Sequence, residues 1–347
     1  MNKPEWNRRD FIVKPLVWAG AARMLAGTNL LSETADTAKG ALLERTLGRT
    51  GLELPIVSMG VMNADVPGIL RCSYELGIRH FDTAAVYQNG RNEEMVGSVI
   101  KELGIRDKVV ISTKQGIGAS VQNPVDAKKR FIGISTHNTV EVLNAVVPLN
   151  VFDVALVTLN YTMAHDAEML ATIEKAAKSN IGIVAMKTQA GGTVRLDAKL
   201  PKELLPESQT ALLKWFLNHY FITTAIPGFS TYEHLEQDFT VVRNLAYTDA
   251  EKKFLADKTF TAQAEFCQQC GQCREDCPKR VDIPALMRSH MYAVQYRNVS
   301  MAGHLLAKSE AGQGIDACRA CHSCKAHCRN TVHIARKISQ LKELQLA

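Results

Sequence analysis

Eight of the chain's nine cysteines lie between Cys267 and Cys328, and the first 266 residues hold only Cys72. An exported disulfide framework spreads its cysteines through the core it staples. One dense segment near an end points instead to metal or redox chemistry confined to a small module. With 347 residues in all, the remainder is long enough for a single barrel of roughly 250 residues or for an ordinary domain with additions.

Within the segment the cysteines form two identical quartets. Cys267, Cys270, Cys273 and Cys277 follow C-x-x-C-x-x-C-x-x-x-C, with Pro278 next; Cys318, Cys321, Cys324 and Cys328 repeat the spacing, followed by Arg329. This is the run of bacterial [4Fe–4S] ferredoxins, in which the fourth cysteine serves the other cluster. That rule pairs Cys267, Cys270 and Cys273 with Cys328, and Cys318, Cys321 and Cys324 with Cys277. Structural zinc uses two pairs split by a long gap, and disulfides rarely repeat one quartet. The 40 residues between Cys277 and Cys318 exceed a compact ferredoxin hairpin. Helical patterns at Ile283–Arg297, Met301–Lys308 and Ile334–Leu346 predict a small, mostly α-helical two-cluster module over 259–347.

Residues 41–258 alternate apolar runs with amphipathic ones. Strands are predicted at Ile56–Gly60, His80–Ala84, Val109–Lys114, Phe131–Ser135, Val154–Asn160, Ile181–Lys187 and Thr223–Pro227. Helical patterns stand between most of them: Pro67–Leu76, Glu93–Leu103, Ala167–Lys178, Gln209–Asn218 and Glu233–Asn244. Short strands joined through helices mean parallel strands with right-handed crossovers. Seven such strands come close to a TIM-type (β/α)8 barrel. No G-x-G-x-x-G opens a helix after a strand, so a Rossmann fingerprint is absent.

The barrel segment resembles an aldo-keto reductase. The resemblance rests on Leu47-Gly48-Arg49-Thr50-Gly51-Leu52, on Gly77-Ile78-Arg79-His80-Phe81-Asp82-Thr83-Ala84 with Tyr87 in the following loop, on Asn92-Glu93-Glu94-Met95-Val96-Gly97, and on Ile111-Ser112-Thr113-Lys114. Phe131-Ile132-Gly133-Ile134-Ser135 and Ile226-Pro227-Gly228 extend it. Asp82 and Lys114 end adjacent strands, and strand ends of a parallel barrel meet on its C-terminal face, where barrel active sites form. A phenol of pKa near 10 is a poor donor at neutral pH, and a nearby ammonium lowers it. The resemblance implies that Tyr87 protonates a carbonyl oxygen while a nicotinamide delivers hydride, with Asp82 holding Lys114. It also implies a cofactor role for Ser135, Asn160, Lys187, Gly228 and Ser230, the last two at a helix start suited to phosphate. Gly228 and His234 stand where the family grips a 2′-phosphate, so NADP and NAD are both open.

One departure matters. Only 15 residues separate Lys114 from Arg130, where family members place a helix, a strand and another helix. The interval is loop-like, with Gly116, Gly118 and Pro124. It is too short for a βα unit, since one crossover needs at least about 10–12 residues. The barrel is therefore read as lacking one unit and, with it, the family's catalytic His. Such a barrel is either an altered carbonyl-reducing enzyme or an impaired barrel serving iron–sulfur electron transfer or partner binding.

The first forty residues open Asn7-Arg8-Arg9-Asp10-Phe11-Ile12-Val13-Lys14, which resembles a twin-arginine export signal. That route carries folded proteins, so it suits a chain whose clusters are inserted first. Periplasmic or exported placement through that machinery is expected, with the cytoplasm as the alternative. The net charge of +6 is too mild and scattered for nucleic acid. No run reaches the roughly 18 apolar residues of a spanning helix. The expected partners are a small carbonyl or alcohol substrate and a redox protein.

Overall fold

The structure, a computed structural model, describes residues 41–114, 130–189, 205–257 and 265–344. The expected export signal over residues 1–40 and the interval after Lys114, where one unit is expected to be missing, lie outside the described residues. The chain enters through an antiparallel hairpin, β1 (Glu44–Thr46) and β2 (Glu53–Pro55), that the sequence pattern did not reveal. Three-residue strands carry too little alternation to read. The hairpin's end presses on the barrel through glycines. A Cβ on Gly48, which sits at φ +49°, would lie 2.3 Å from the Gly182 nitrogen.

Seven parallel strands follow: β3 (Met59–Gly60), β4 (His80–Asp82), β5 (Val110–Ser112), β6 (Gly133–Thr136), β7 (Val154–Thr158), β8 (Gly182–Met186) and β9 (Thr224–Ala225). They form two sheets, β3-β4-β5 and β6-β7-β8-β9. Parallel bridges Val57–Ala225 and Gly60–Gly228 join β9 to the β3 side. At Gly60 the backbones come so close that a Cβ would stand 2.8 Å from the Ile226 carbonyl oxygen. Among the described residues no pairing joins β5 to β6. Each of the seven strands overlaps its predicted run and is shorter than it, and β6 ends one residue later than predicted, at Thr136.

Helices α1 (Pro67–Leu76), α2 (Arg91–Leu103), α3 (Thr139–Val146), α4 (Ala167–Lys178), α5 (Leu205–Leu217), α6 (Tyr232–Phe239) and α7 (Asp249–Ala256) connect and flank the strands. Local chemistry sets their ends. Pro67 opens α1 and left-handed Gly77 closes it, as proline and glycine favour. The Asp166 side chain caps α4 by accepting from Met169 N at 2.9 Å. On α7, Thr248 and Glu251 form a reciprocal capping box. Glu251 also receives the buried Lys214 ammonium at 2.8 Å. Thr248→Ala should therefore cost about 1 kcal/mol. A thermal melt should show it as a fall of a few degrees, and an unchanged midpoint would contradict the cap's role.

The tail holds α8 (Ile283–His290), α9 (Val299–Leu306), α10 (Ile315–Arg319) and α11 (Ile334–Glu343). The single helix predicted over 283–297 instead widens after His290 into a π turn, Met291–Gln295. Val281, Ile283, Leu286, Leu306, Ile315, Val332, Ile338 and Leu341 share a small core against the cysteines. The tail is not a free appendage. Phe266, Met291, Tyr292, Ala293 and Ala302 are buried in the same apolar cluster as the barrel. Asn298 Nδ2 donates to Asn63 Oδ1 at 3.0 Å.

Candidate functional site

Asp82 closes β4, Lys114 lies just beyond β5, His137 just beyond β6, Asn160 just beyond β7 and Lys187 just beyond β8. Parallel strands put all these ends on one face, the barrel mouth. Lys114 Nζ donates to Asp82 Oδ1 and, at 2.9 Å, to the Thr83 carbonyl. It also stands 5.4 Å from the centre of the Tyr87 ring. Asp82, Tyr87 and Lys114 are thus brought together, as the sequence suggested.

The electrostatics differ from the expectation at one point. The Tyr87 phenol is raised, not lowered: burial acts first and the Asp82 carboxylate adds to it. Desolvation of the phenolate outweighs the nearby ammonium. Burial also raises Asp82, with Lys114 pulling the other way. His80, buried under the mouth with Nε2 2.6 Å from Ser112 Oγ, is held down to about 4 by burial and then by Lys114.

The remaining candidates divide. Asn160 is fully buried; its Oδ1 accepts from Thr162, while Nδ2 has no partner among the described residues. Lys187 adopts a left-handed backbone, φ +61°, strain of a kind that collects at functional sites. Its ammonium lies 4.6 Å from the ring centres of both Tyr292 and Tyr296. Ser135 is exposed. Gly228 and Ser230 are exposed before α6, whose cap is already supplied by Thr231 accepting from His234 N.

Burial holds the Lys187 amine down to about 7, with Lys114 and Arg288 adding to the effect. The unfolded chain, with its lysine near 10.5, then binds more protons across the interval between, so stability rises with pH there. Lys187→Met should flatten that rise. Melting curves of both proteins from about pH 7 to 9 check it, and parallel trends would refute it.

Cysteines of the two quartets come close to one another. Cys267, Cys270, Cys273 and Cys328 line one cavity. Burial pushes the Cys267 thiol up to about 11 and Cys273 up to about 12, with Cys328 among the neighbours that add to both. Cys318 is pushed up to about 11, by burial and then by Cys277, ahead of Cys324 and Cys321. Crowded thiols of this kind resist ionising together unless a cationic centre sits among them, which suits a cluster. No group of three His, Cys, Asp or Glu among the described residues is arranged around a single metal ion. In a [4Fe–4S] cube each thiolate takes its own iron.

A family model described as aldo/keto reductase family matches residues 58–132, and one described as 4Fe-4S dicluster domain matches 266–333. An aldo/keto reductase domain and a 4Fe–4S dicluster domain are found in this chain. A putative voltage-gated potassium channel subunit beta of Schizosaccharomyces pombe is 32% identical over 145 residues, 39% of this chain and 40% of that protein. L-glyceraldehyde 3-phosphate reductase of Escherichia coli K12 is 38% identical over 89 residues, 22% of this chain and 26% of that enzyme. The chain thus spans well under two thirds of these curated relatives. An aldo-keto reductase structure from Bacillus halodurans superposes with a TM-score of 0.51 at 17% identity, over 66% of this chain and 99% of the other. The fold of the barrel is that of an aldo-keto reductase.

The reductase match contains Asp82, Tyr87 and Lys114, and the dicluster match contains all eight tail cysteines. Four residues at the mouth are not among the sequence candidates. His137 meets Thr158 Oγ1 at 3.0 Å, and burial and then Lys187 push it well below its ordinary value. Arg288, Tyr292 and Tyr296 come from the dicluster domain. No motif marks them, because the docking of the tail alone brings them to the barrel.

Proposed function

We propose that the chain is an iron–sulfur oxidoreductase of aldo-keto reductase type, reducing a small carbonyl compound or oxidising the corresponding alcohol. In this reading residues 41–258 form a barrel shortened by one βα unit after Lys114. Residues 259–347 carry two [4Fe–4S] clusters on the crossed ligand sets, and residues 1–40 direct export by the twin-arginine route. The observation that carries it is the meeting of Asp82, Lys114 and Tyr87 at the mouth.

Asn160 Nδ2, buried and unpartnered among the described residues, supplies a donor that a nicotinamide carboxamide would satisfy. NADP or NAD, bound with Asn160 and Lys187, would supply the hydride. Tyr87, kept protonated by burial, gives its proton to the substrate oxygen as charge develops there. Lys114 steadies the resulting phenolate, and Asp82 fixes Lys114. With no His in the family's usual place, the orientation of the carbonyl falls to the other mouth groups, His137 among them. The cysteines of the second set include the exposed Cys324, an entry point for a redox protein.

Fluorescence titration of the iron-replete protein with NADPH and NADH, followed by turnover on aldehydes, tests the reading. Binding and turnover support it, and the absence of both overturns it. The second reading, an electron-transfer protein on a retired barrel, is favoured by Tyr292 and Tyr296 lying over Lys187. It requires reversible cluster reduction without nicotinamide binding.

A further inference from the structure

The two cysteine quartets share one spacing but not one set of neighbours. Gln269 stands between Cys267 and Cys270; at the matching place between Cys318 and Cys321 stands Ala320, whose side chain has no polar atom. Gln269 is 8% exposed and holds a left-handed backbone, φ +61°, a conformation that costs energy and persists where its surroundings impose it. Its backbone and side chain both serve one sulfur. Nε2 donates to Cys267 Sγ at 3.2 Å, and the Gln269 backbone N–H bonds to the same sulfur. Nε2 also donates to the Pro284 carbonyl at 3.0 Å. Arg288 Nη1 donates to Gln269 Oε1 at 2.9 Å. A guanidinium has only donors, so the amide oxygen must face it and the amide nitrogen must face the sulfur. The half-buried Arg288 shares its wall with Glu265, whose charge is taken by Arg336 and by Lys337 at 3.4 Å.

We propose that Arg288 and Gln269 form a hydrogen-bonded relay that raises the reduction potential of the cluster on Cys267, and of that cluster alone. The relay rests on the ligand set proposed above and gives a role to two residues that bind no iron. Uptake of one electron from a one-electron carrier protein makes and breaks no bond and leaves more negative charge on the sulfurs. An amide donor aimed at a sulfur favours that more negative state. The cation behind the amide polarises it and strengthens the bond. Burial beside the barrel disfavours added charge, and the relay offsets part of that cost. It biases an electron inward, from the set with the exposed Cys324 toward the set beside the barrel. Ala320 gives the other set no such side-chain donor.

The test is a potentiometric titration of the iron-replete full chain with dithionite, followed by electron paramagnetic resonance. Gln269→Leu removes the side-chain donor. Arg288→Met removes the charge and leaves every atom that touches the sulfur in place. Each should lower one of the two midpoints and leave the other where it was. Gln269→Leu should lower the reduction equilibrium constant at least about threefold, roughly 30 mV at about 59 mV per tenfold for one electron. Arg288→Met should move the same midpoint by less, and Arg288→Lys, which keeps a cationic donor, should restore most of it. Gln269→Glu, which sets a carboxylate oxygen against the sulfur, should lower it furthest. Iron and acid-labile sulfide are measured on every variant, and Arg288→Met carries the test should Gln269→Leu fail to load iron. A wild type without two clusters would overturn the ligand reading and the relay with it. Full iron with both midpoints unmoved, both moved alike, or the affected one raised would overturn the relay alone.

Discussion

Cys328→Ser is expected to strip iron from the cluster that Cys267, Cys270 and Cys273 hold, although Cys328 sits in the other quartet. The single variant should retain about half of the iron. Combining it with Cys267→Ser should remove no more, because both residues serve one cube. Combining it with Cys318→Ser should leave the protein almost without iron. Pairing within each quartet predicts the reverse order for the two double variants, so iron and acid-labile sulfide analysis decides between them. The structural basis is the cavity that Cys328 shares with Cys267, Cys270 and Cys273. Stability should follow the metal. The tail's small core packs directly on cysteines of both sets, and binding energy at such sites is folding energy. A loss of several kcal/mol, seen as a melting point lower by on the order of 10 °C, is expected. Cys72→Ser, in α1 and remote from both sets in sequence, should change neither quantity.

Tyr87→Phe should lower carbonyl turnover by about 10²–10⁴-fold while nicotinamide affinity stays within about twofold. The substitution removes only the phenolic hydroxyl and leaves the ring beside Lys114 in place. A proton donor used in the transition state affects turnover rather than ground-state binding. Turnover that survives Tyr87→Phe at wild-type rate would remove this residue from the reaction. Steady-state kinetics and the fluorescence titration, run on the same preparation, separate the two effects.

The strands and most helices were legible because each βα unit carries its own local signals: an apolar run, a cap, a closing glycine. The helix Pro67–Leu76 was read to the residue, since Pro67 and Gly77 bracket it. The two cysteine quartets were readable because their spacing is itself the signal, and the dicluster match spans all eight. The mouth was legible only in part. Asp82, Tyr87 and Lys114 announce themselves through flanking sequence and strand-end position. The phenol's raised pKa did not, because burial depends on what packs above it. Arg288, Tyr292 and Tyr296 lie more than 170 residues after Lys114 and carry no pattern that ties them to a barrel. The wide turn at Met291–Gln295 that presents Tyr292 is equally silent, since its residues read as ordinary helix.

Tyr292 and Tyr296, laid over Lys187, have a consequence for the order in which the molecule is made. When the ribosome has delivered the last parallel strand, the barrel mouth has its walls but no roof. The roof arrives with the next segment, the one that carries the cysteines. Under the proposed function, protein that misses its iron is expected to be left with an open chamber.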